Sequence, residues 1–252
     1  MRIGDSIRML ETCSSTNDIA NELALQGEPE GTVVLAEEQT KGRGTKGRDW
    51  FSLRGKGLYA SVILRPLKRD MSLLPLAAGV AVREALLGVF GLFTRLRWPN
   101  DILYGREKIG GILCEGSFLG NRVSHMILGI GVNLNQTRRE FPREFRKDAV
   151  SVRMALGKTV SRDRLLPLLW DELDIWYREF LRGREARIVA AFEDRSVFSP
   201  GDTLEVSLGE RAITGAYSGI DERGRLVLQS GGRTRALLAA EVSGVKILHK
   251  EG

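Results

Sequence analysis

The sequence predicts an α/β (α+β) unit followed by a small β unit. Two observations carry that prediction. Up to about residue 198, apolar runs of strand length are interspersed with longer helical stretches. From Asp202 onward, five short stretches follow one another with Gly-containing turns between most of them, the pattern of a small barrel. The composition changes at Ser199-Pro200-Gly201, so the expected units are residues 1–197 and 198–252.

The elements follow in order. Glu11 to Asn17 holds several cap-forming residues, and Ser15 or Thr16 is expected to cap a helix that runs to Gln26 and stops at Gly27. Thr32–Glu38 and Gly57–Leu64 read as strands. Ser72–Phe90 is an alanine- and leucine-rich helix in which Pro75 is tolerable only near the start. Leu96–Tyr104 contains Trp98-Pro99-Asn100-Asp101, which implies a turn or a break in a strand. Lys108–Cys114 and His125–Leu134 are expected as strands, and the polar, basic stretch from Gln136 to Lys147 as a long loop. Ser161 is expected to cap a helix ending near Leu181, with a shorter helix from Glu185 to Asp194. The terminal strands are Thr203–Leu208, Ala212–Ser218, Arg225–Leu228, Thr234–Leu238 and Val245–Leu248.

Bulk properties exclude several classes. Hydrophobic residues at 42% and charged ones at 28% suit a soluble globular protein. No run of 18 apolar residues occurs, and the first residues lack the apolar core of a signal peptide, so no membrane partner and a cytoplasmic location are expected. Cys13 and Cys114 are too few for a disulfide scaffold, and His125 and His249 lie far apart with no ligand-spaced cluster, so no zinc site is readable. The net charge of +6 suits anionic partners.

The segment from Gln39 to Trp50 is the most informative. Gly42, Gly44 and Gly47 alternate with Lys41, Arg43, Lys46 and Arg48, and Trp50 follows. Glycines open backbone conformations and cations seek shared oxygens, so the segment reads as a mobile loop closing over a phosphate or carboxylate. A solvated basic turn is the plainer alternative. Gly42-x-Gly44-x-x-Gly47 matches the dinucleotide fingerprint, but no helix follows it, so a nicotinamide or flavin is discounted. The phosphate-loop pattern also fails, because Arg48-Asp49 stands where Lys-Ser/Thr is required.

Five segments taken together resemble the biotin–protein ligases, also called biotin–[acetyl-CoA-carboxylase] ligases. They are Ser15-Thr16-Asn17, Gln39 to Ser52, Arg97-Trp98-Pro99-Asn100-Asp101, Lys108 to Glu115, and Gly129-Ile130-Gly131-Val132-Asn133. They stand in the family's order, and with the terminal small-barrel pattern the match spans nearly the whole chain. The resemblance implies a mixed, mainly antiparallel sheet with flanking helices, akin to class II tRNA synthetases and lipoate ligases, and a C-terminal SH3-like barrel. It implies that biotin and ATP, with magnesium, form biotinyl-AMP and pyrophosphate, and that the biotinyl group then passes to a lysine of a biotin carboxyl carrier domain. No tightly bound prosthetic group is implied. The biotin motif begins near the N-terminus, which implies a form without the DNA-binding arm and no DNA partner, and leaves a homodimer open.

The same resemblance assigns residues. Lys108 and Arg48 are the catalytic candidates, with Lys108 reaching both the biotin carboxyl end and the phosphate. Ser15, Thr16, Asn17, Gln39, Arg43, Gly44, Thr45, Lys108 and Gly111 are the biotin-binding candidates. Arg43, Lys46, Arg48, Trp50, Asp101 and Asn133 are the nucleotide-side candidates, with Asp101 also a candidate magnesium ligand. Each has a plainer reading: a strand-end lysine for Lys108, helix capping for Ser15 and Thr16, core packing for Trp50 and Trp98, and a turn former for Asp101. The loop from Arg138 to Lys147 is a candidate cover for the adenine. Two departures matter: Thr45 replaces the second arginine of the family's Gly-Arg-Gly-Arg pattern, and Arg97 replaces a frequent lysine. A lipoate ligase is the enzyme rival. A nucleic-acid binder is the non-enzyme rival, weakened because the cations cluster with glycines and not with stacking aromatics.

Overall fold

The computed structural model describes residues 2–67, 70–119 and 122–249. The three terminal residues of the expected 198–252 unit lie outside them. Seven strands form a mixed sheet in the order β1-β2-β3-β7-β6-β5-β4, where β1 is Ile7–Leu10, β2 Val33–Ala36, β3 Gly57–Leu64, β4 Arg95–Arg97, β5 Asp101–Tyr104, β6 Glu107–Leu119 and β7 Arg122–Asn133. Only β1 and β2 run parallel; every other neighbouring pair is antiparallel. The mainly antiparallel sheet expected from the resemblance is therefore present.

Helix α1 (Thr16–Leu25) lies on one face of the sheet, while α2 (Leu74–Phe90), α4 (Leu166–Leu181) and α5 (Glu185–Asp194) cover the other. The alternation of β3 explains the division. Leu58, Ala60, Val62 and Leu64 join the large core under α2 and α4, whereas Ile63 packs with Ala20 and Ala24 of α1. The α2 sequence is apolar on most sides because its residues are buried almost continuously from Leu74 to Val82. Pro75 sits in its first turn, and left-handed Gly91 ends it.

Five strands, β8 (Thr203–Leu208), β9 (Arg211–Ile220), β10 (Leu226–Ser230), β11 (Arg233–Leu237) and β12 (Gly244–His249), form an antiparallel SH3-like unit in the order β11-β10-β9-β8-β12. Its inward residues Leu204, Val206, Tyr217 and Leu226 join the same core cluster as the larger sheet. Trp98, almost wholly buried, donates its indole N–H to Gly224 O at 2.8 Å and so links the two sheets. Trp98 is thus a core residue, as its plainer reading held.

Several boundaries differ from expectation. Strand β1 was not anticipated; it is an exposed edge whose residues show no buried alternation. A five-residue helix, α3 (Val152–Leu156), was also unforeseen, with Ser151 accepting from Met154 N as its cap. Ser161 does not cap α4. That helix begins at Leu166 with Pro167 in its first turn, so proline and not serine marks the start. Strands β6 and β7 extend well past Cys114 and back to Arg122 as a hairpin. No described helix is long and apolar enough to cross a membrane.

Candidate active site

A cleft of about 440 Å³, counted to its open mouth, lies on the α1 face of the large sheet. Its walls include Ser15, Thr16, Asn17, Gln39, Arg43, Gly44, Thr45, Trp50, Lys108 and Gly111, so every biotin-side candidate from the sequence converges there. Tyr59, Asn100, Gly129 and Gly131 line it as well and were not anticipated.

The floor exists because two strands carry glycine where a side chain would obstruct. Gly129 and Gly131 are two apart on β7 and face the cleft together. A Cβ on Gly129 would overlap the Asn17 carboxamide, and one on Gly131 would overlap the Trp50 indole. The i, i+2 glycine pattern within Gly129-Ile130-Gly131 was visible in the sequence and is the signal that could have found them.

One end of the cleft is a polar network. Gln39 Oε1 accepts from Thr16 N at 2.8 Å and from Thr16 Oγ1 at 3.0 Å, and Gln39 Nε2 donates to Ser52 Oγ at 2.8 Å. Ser61 Oγ donates to Asn17 Oδ1 at 2.5 Å and lies 2.7 Å from Thr16 Oγ1. Asn17 Nδ2 donates to Glu115 Oε2 at 2.6 Å. Ser15 stands at the N-cap position of α1, but its side chain makes no capping bond, so the capping reading does not account for it. Thr16, Asn17, Ser52 and Ser61 are buried and Gln39 and Glu115 half-buried, and their mutual bonds fix the orientation of each amide and hydroxyl.

Two cations line the cleft, each held by carboxylates: Arg43 beside the polar network and Lys108 at the other end. Lys108 Nζ lies 2.5 Å from Asp101 Oδ1 and 5.4 Å from the centre of the Trp50 ring. Its backbone is bracketed by the far end of the 136–147 loop: Lys108 N donates to Asp148 O at 2.7 Å, and Val150 N to Lys108 O at 3.0 Å. Asn133 is buried behind this segment and donates to Val150 O at 3.1 Å, so it fixes the lysine's strand and does not line the cleft. Arg43 pairs with Asp18 at 2.6 Å and with both oxygens of Glu115, at 3.1 and 3.0 Å. The Glu115 hydrogen bond contributes most to raising the guanidinium's pKa. Pairs this exposed give roughly 0–1 kcal/mol of stability. Stability therefore does not explain why two carboxylates converge on Arg43; they aim it.

Asp101 takes Lys108 on one oxygen and Arg97 on the other, at 2.7 Å. Burial by itself would raise its carboxyl, and the two cations overcome that and hold it below the usual carboxylate range. Such a group stabilises the fold above its unfolded pKa of about 3.9, and that contribution is lost as pH falls below this value. The parent's melting temperature is therefore expected to drop more between pH 5 and pH 3 than that of Asp101→Asn. Equal drops would remove Asp101 as a source of acid sensitivity. Both Asp101 oxygens are thus engaged by cations, and no cluster of three or more His, Cys, Asp or Glu occurs among the described residues.

The glycine-rich loop roofs the cleft through Arg43, Gly44 and Thr45. Thr40 N and Lys41 N donate to Cys13 O and Ser14 O, and Trp50 N to Gly42 O. Lys46 and Arg48, both nucleotide-side candidates, do not line the cleft. The Lys46 ammonium binds Ala240 O and Val242 O, and Arg48 Nη2 donates to Thr45 Oγ1 at 3.2 Å. The Arg138–Lys147 stretch also stays off the cleft: Arg138 and Arg146 bond to carbonyls of their own loop.

Comparison with known proteins agrees with this geometry. Residues 9–133 match the biotin/lipoate A/B protein ligase family, and residues 204–244 match the biotin protein ligase C terminal domain. The chain is 33% identical to the bifunctional ligase/repressor BirA of Bacillus subtilis, over 95% of this chain and 74% of that protein. It is also 33% identical to the biotin–[acetyl-CoA-carboxylase] ligase of Paracoccus denitrificans, over 93% and 98%. The fold matches the biotin protein ligase of Aquifex aeolicus in complex with biotin and ATP, at a TM-score of 0.84 and 30% identity, over 96% and 99%. The chain belongs to the biotin protein ligase family.

Proposed function

We propose that the cleft holds biotin with its ureido head at the Ser15, Thr16 and Gln39 end and its carboxylate at the Lys108 end. The chain is an ATP-dependent biotin ligase. A biotin carboxylate oxygen attacks the α-phosphorus of ATP, pyrophosphate leaves, and biotinyl-AMP remains. A lysine amine then attacks the acyl carbon, forming an amide and releasing AMP. The observation that carries the reading is the polarity of one cleft: fixed amides and hydroxyls at one end, a lysine at the other, and an arginine held over it by Glu115 and Asp18. A ureido group needs both donors and acceptors, and this network supplies them. A lipoate head offers only a disulfide, for which such a network is wasted.

Both cations are already in place before any anion arrives. Lys108 is held by Asp101, and Arg43 by Glu115 and Asp18. Incoming carboxylate and phosphate oxygens then share charges that need little reorganisation, which is the condition for strong electrostatic stabilisation. Trp50 closes one wall beside Lys108, with its ring centre 5.4 Å from the ammonium. The roofing loop shields the acyl-phosphate anhydride from water. Magnesium accompanies the ATP phosphates as part of the co-substrate. A biotin carboxyl carrier domain is the acceptor, and the cytoplasm, where it is made, is the place of work. The test is transfer of labelled biotin to the lysine of such a domain, with no label expected on its Lys→Arg variant.

Thr45 sets how long the intermediate stays. It lines the cleft with a hydroxyl that already accepts from Arg48, where an arginine would bring a further cation. Thr45→Arg is expected to slow the escape of labelled biotinyl-AMP by about tenfold, the effect of one charge-assisted contact. An unchanged or faster escape would mean that the loop's grip does not depend on this position.

A further inference from the structure

Lys46 is the one described non-glycine residue in the left-handed backbone region, at φ +60°, immediately before Gly47, which is left-handed as well at φ +69°. A lysine kept in such a conformation signals a demand on its side chain. That side chain turns away from the cleft. Its ammonium donates to Ala240 O, at 3.1 Å, and to Val242 O, two carbonyls of the connection between β11 and β12. This connection is held by bonds of its own: Glu241 N donates to Leu238 O, Glu241 Oε2 accepts from Leu238 N, and Val242 is buried. The residue before Lys46 is Thr45, which lines the cleft, and Arg43 lies three positions earlier.

We propose that Lys46 is a positioning residue, a latch that ties the roof of the cleft to the C-terminal unit and sets the resting place of Arg43, Gly44 and Thr45. It rests on the adenylate-forming reading of the cleft. The C-terminal sheet then acts in the reaction without touching the reacting atoms: its β11–β12 connection provides the catch. Two carbonyls are a good catch for an ammonium, because they offer acceptors but no competing charge. The bonds are exposed enough to open for exchange of reactants and to close again.

The experiment uses the full chain as the parent, Lys46→Ala and Lys46→Arg. Three quantities are read: amide exchange in the ligand-free protein at residues 40–48 and 238–243, the escape rate of labelled biotinyl-AMP, and the KM for ATP. Lys46→Ala is expected to speed exchange in both segments together and to raise adenylate escape by about tenfold, with an unchanged melting temperature. Lys46→Arg keeps a cationic donor and is expected to restore most of both. Parental exchange at 238–243 in Lys46→Ala would overturn the latch. A rise in the KM for ATP with parental exchange in both segments would also overturn it and assign Lys46 to the nucleotide. If the parent itself releases no pyrophosphate from ATP with biotin, the ligase reading fails; the exchange result in ligand-free protein still decides whether the two segments are latched.

Discussion

Lys108→Ala is expected to lower biotin-dependent pyrophosphate release by roughly 100- to 1000-fold, the usual cost of deleting one preorganised charge at a developing anion. The fold should survive. Asp101 loses one cation but keeps Arg97 on its other oxygen, and the Lys108 backbone bonds to Asp148 and Val150 do not depend on the side chain. Biotin binding should fall far less than turnover, because the ammonium acts most strongly as charge builds on the phosphate. The check is steady-state pyrophosphate release beside a melting curve. Near-parental release by a folded variant would take the catalytic role away from Lys108.

Gly131→Ala should be nearly as damaging, for a steric reason. The new methyl enters space that the Trp50 indole occupies, and an indole cannot yield as a flexible chain end can. Trp50 is both the cleft wall and the aromatic face beside the Lys108 ammonium, so its displacement distorts the binding geometry as well as the floor. Overpacking of this kind costs about 1–3 kcal/mol, which corresponds to a loss of biotin affinity of roughly 10- to 100-fold. Trp50→Phe in the same chain trims the ring and should return part of that loss, giving a non-additive cycle. Titration calorimetry on the four proteins decides it. Additive losses would show that Gly131 and Trp50 do not share the space.

Much of the frame could be read from residues alone, because local patterns and tertiary packing agree there. Gly57–Leu64 is an apolar run of strand length beginning at a glycine, and it is a strand with those bounds. Ser72–Phe90 needed only a shift to Leu74, since Pro75 fixes the first turn and Gly91 the last. The five C-terminal stretches were recognisable from alternation, with edges moved by a few residues. Where buried contrast fades, reading failed: β1 is an exposed edge, and β6 has no buried residue after Ile112 while pairing continues to Leu119.

The site divides along the same line. Ser15, Thr16, Asn17, Gln39, Arg43 and Lys108 stand in motifs dense enough to be noticed, and the cleft gathers them. Their partners were hidden. Glu115 lies 98 positions from Asn17 and 72 from Arg43, and no local signal joins residues that far apart. Lys46 is the sharper lesson. Its place in a basic glycine-rich loop pointed to an anion, yet its nearest acceptors are neutral carbonyls nearly 200 positions away. Composition told what the loop attracts, but only the fold told which member faces away.

The most direct test of the central reading is pyrophosphate release by the purified chain with ATP and magnesium, run with biotin, with lipoate and with neither. Biotin alone should drive release, followed by accumulation of biotinyl-AMP when no carrier is present. Release driven by lipoate, or no release with biotin from a folded protein, would contradict it.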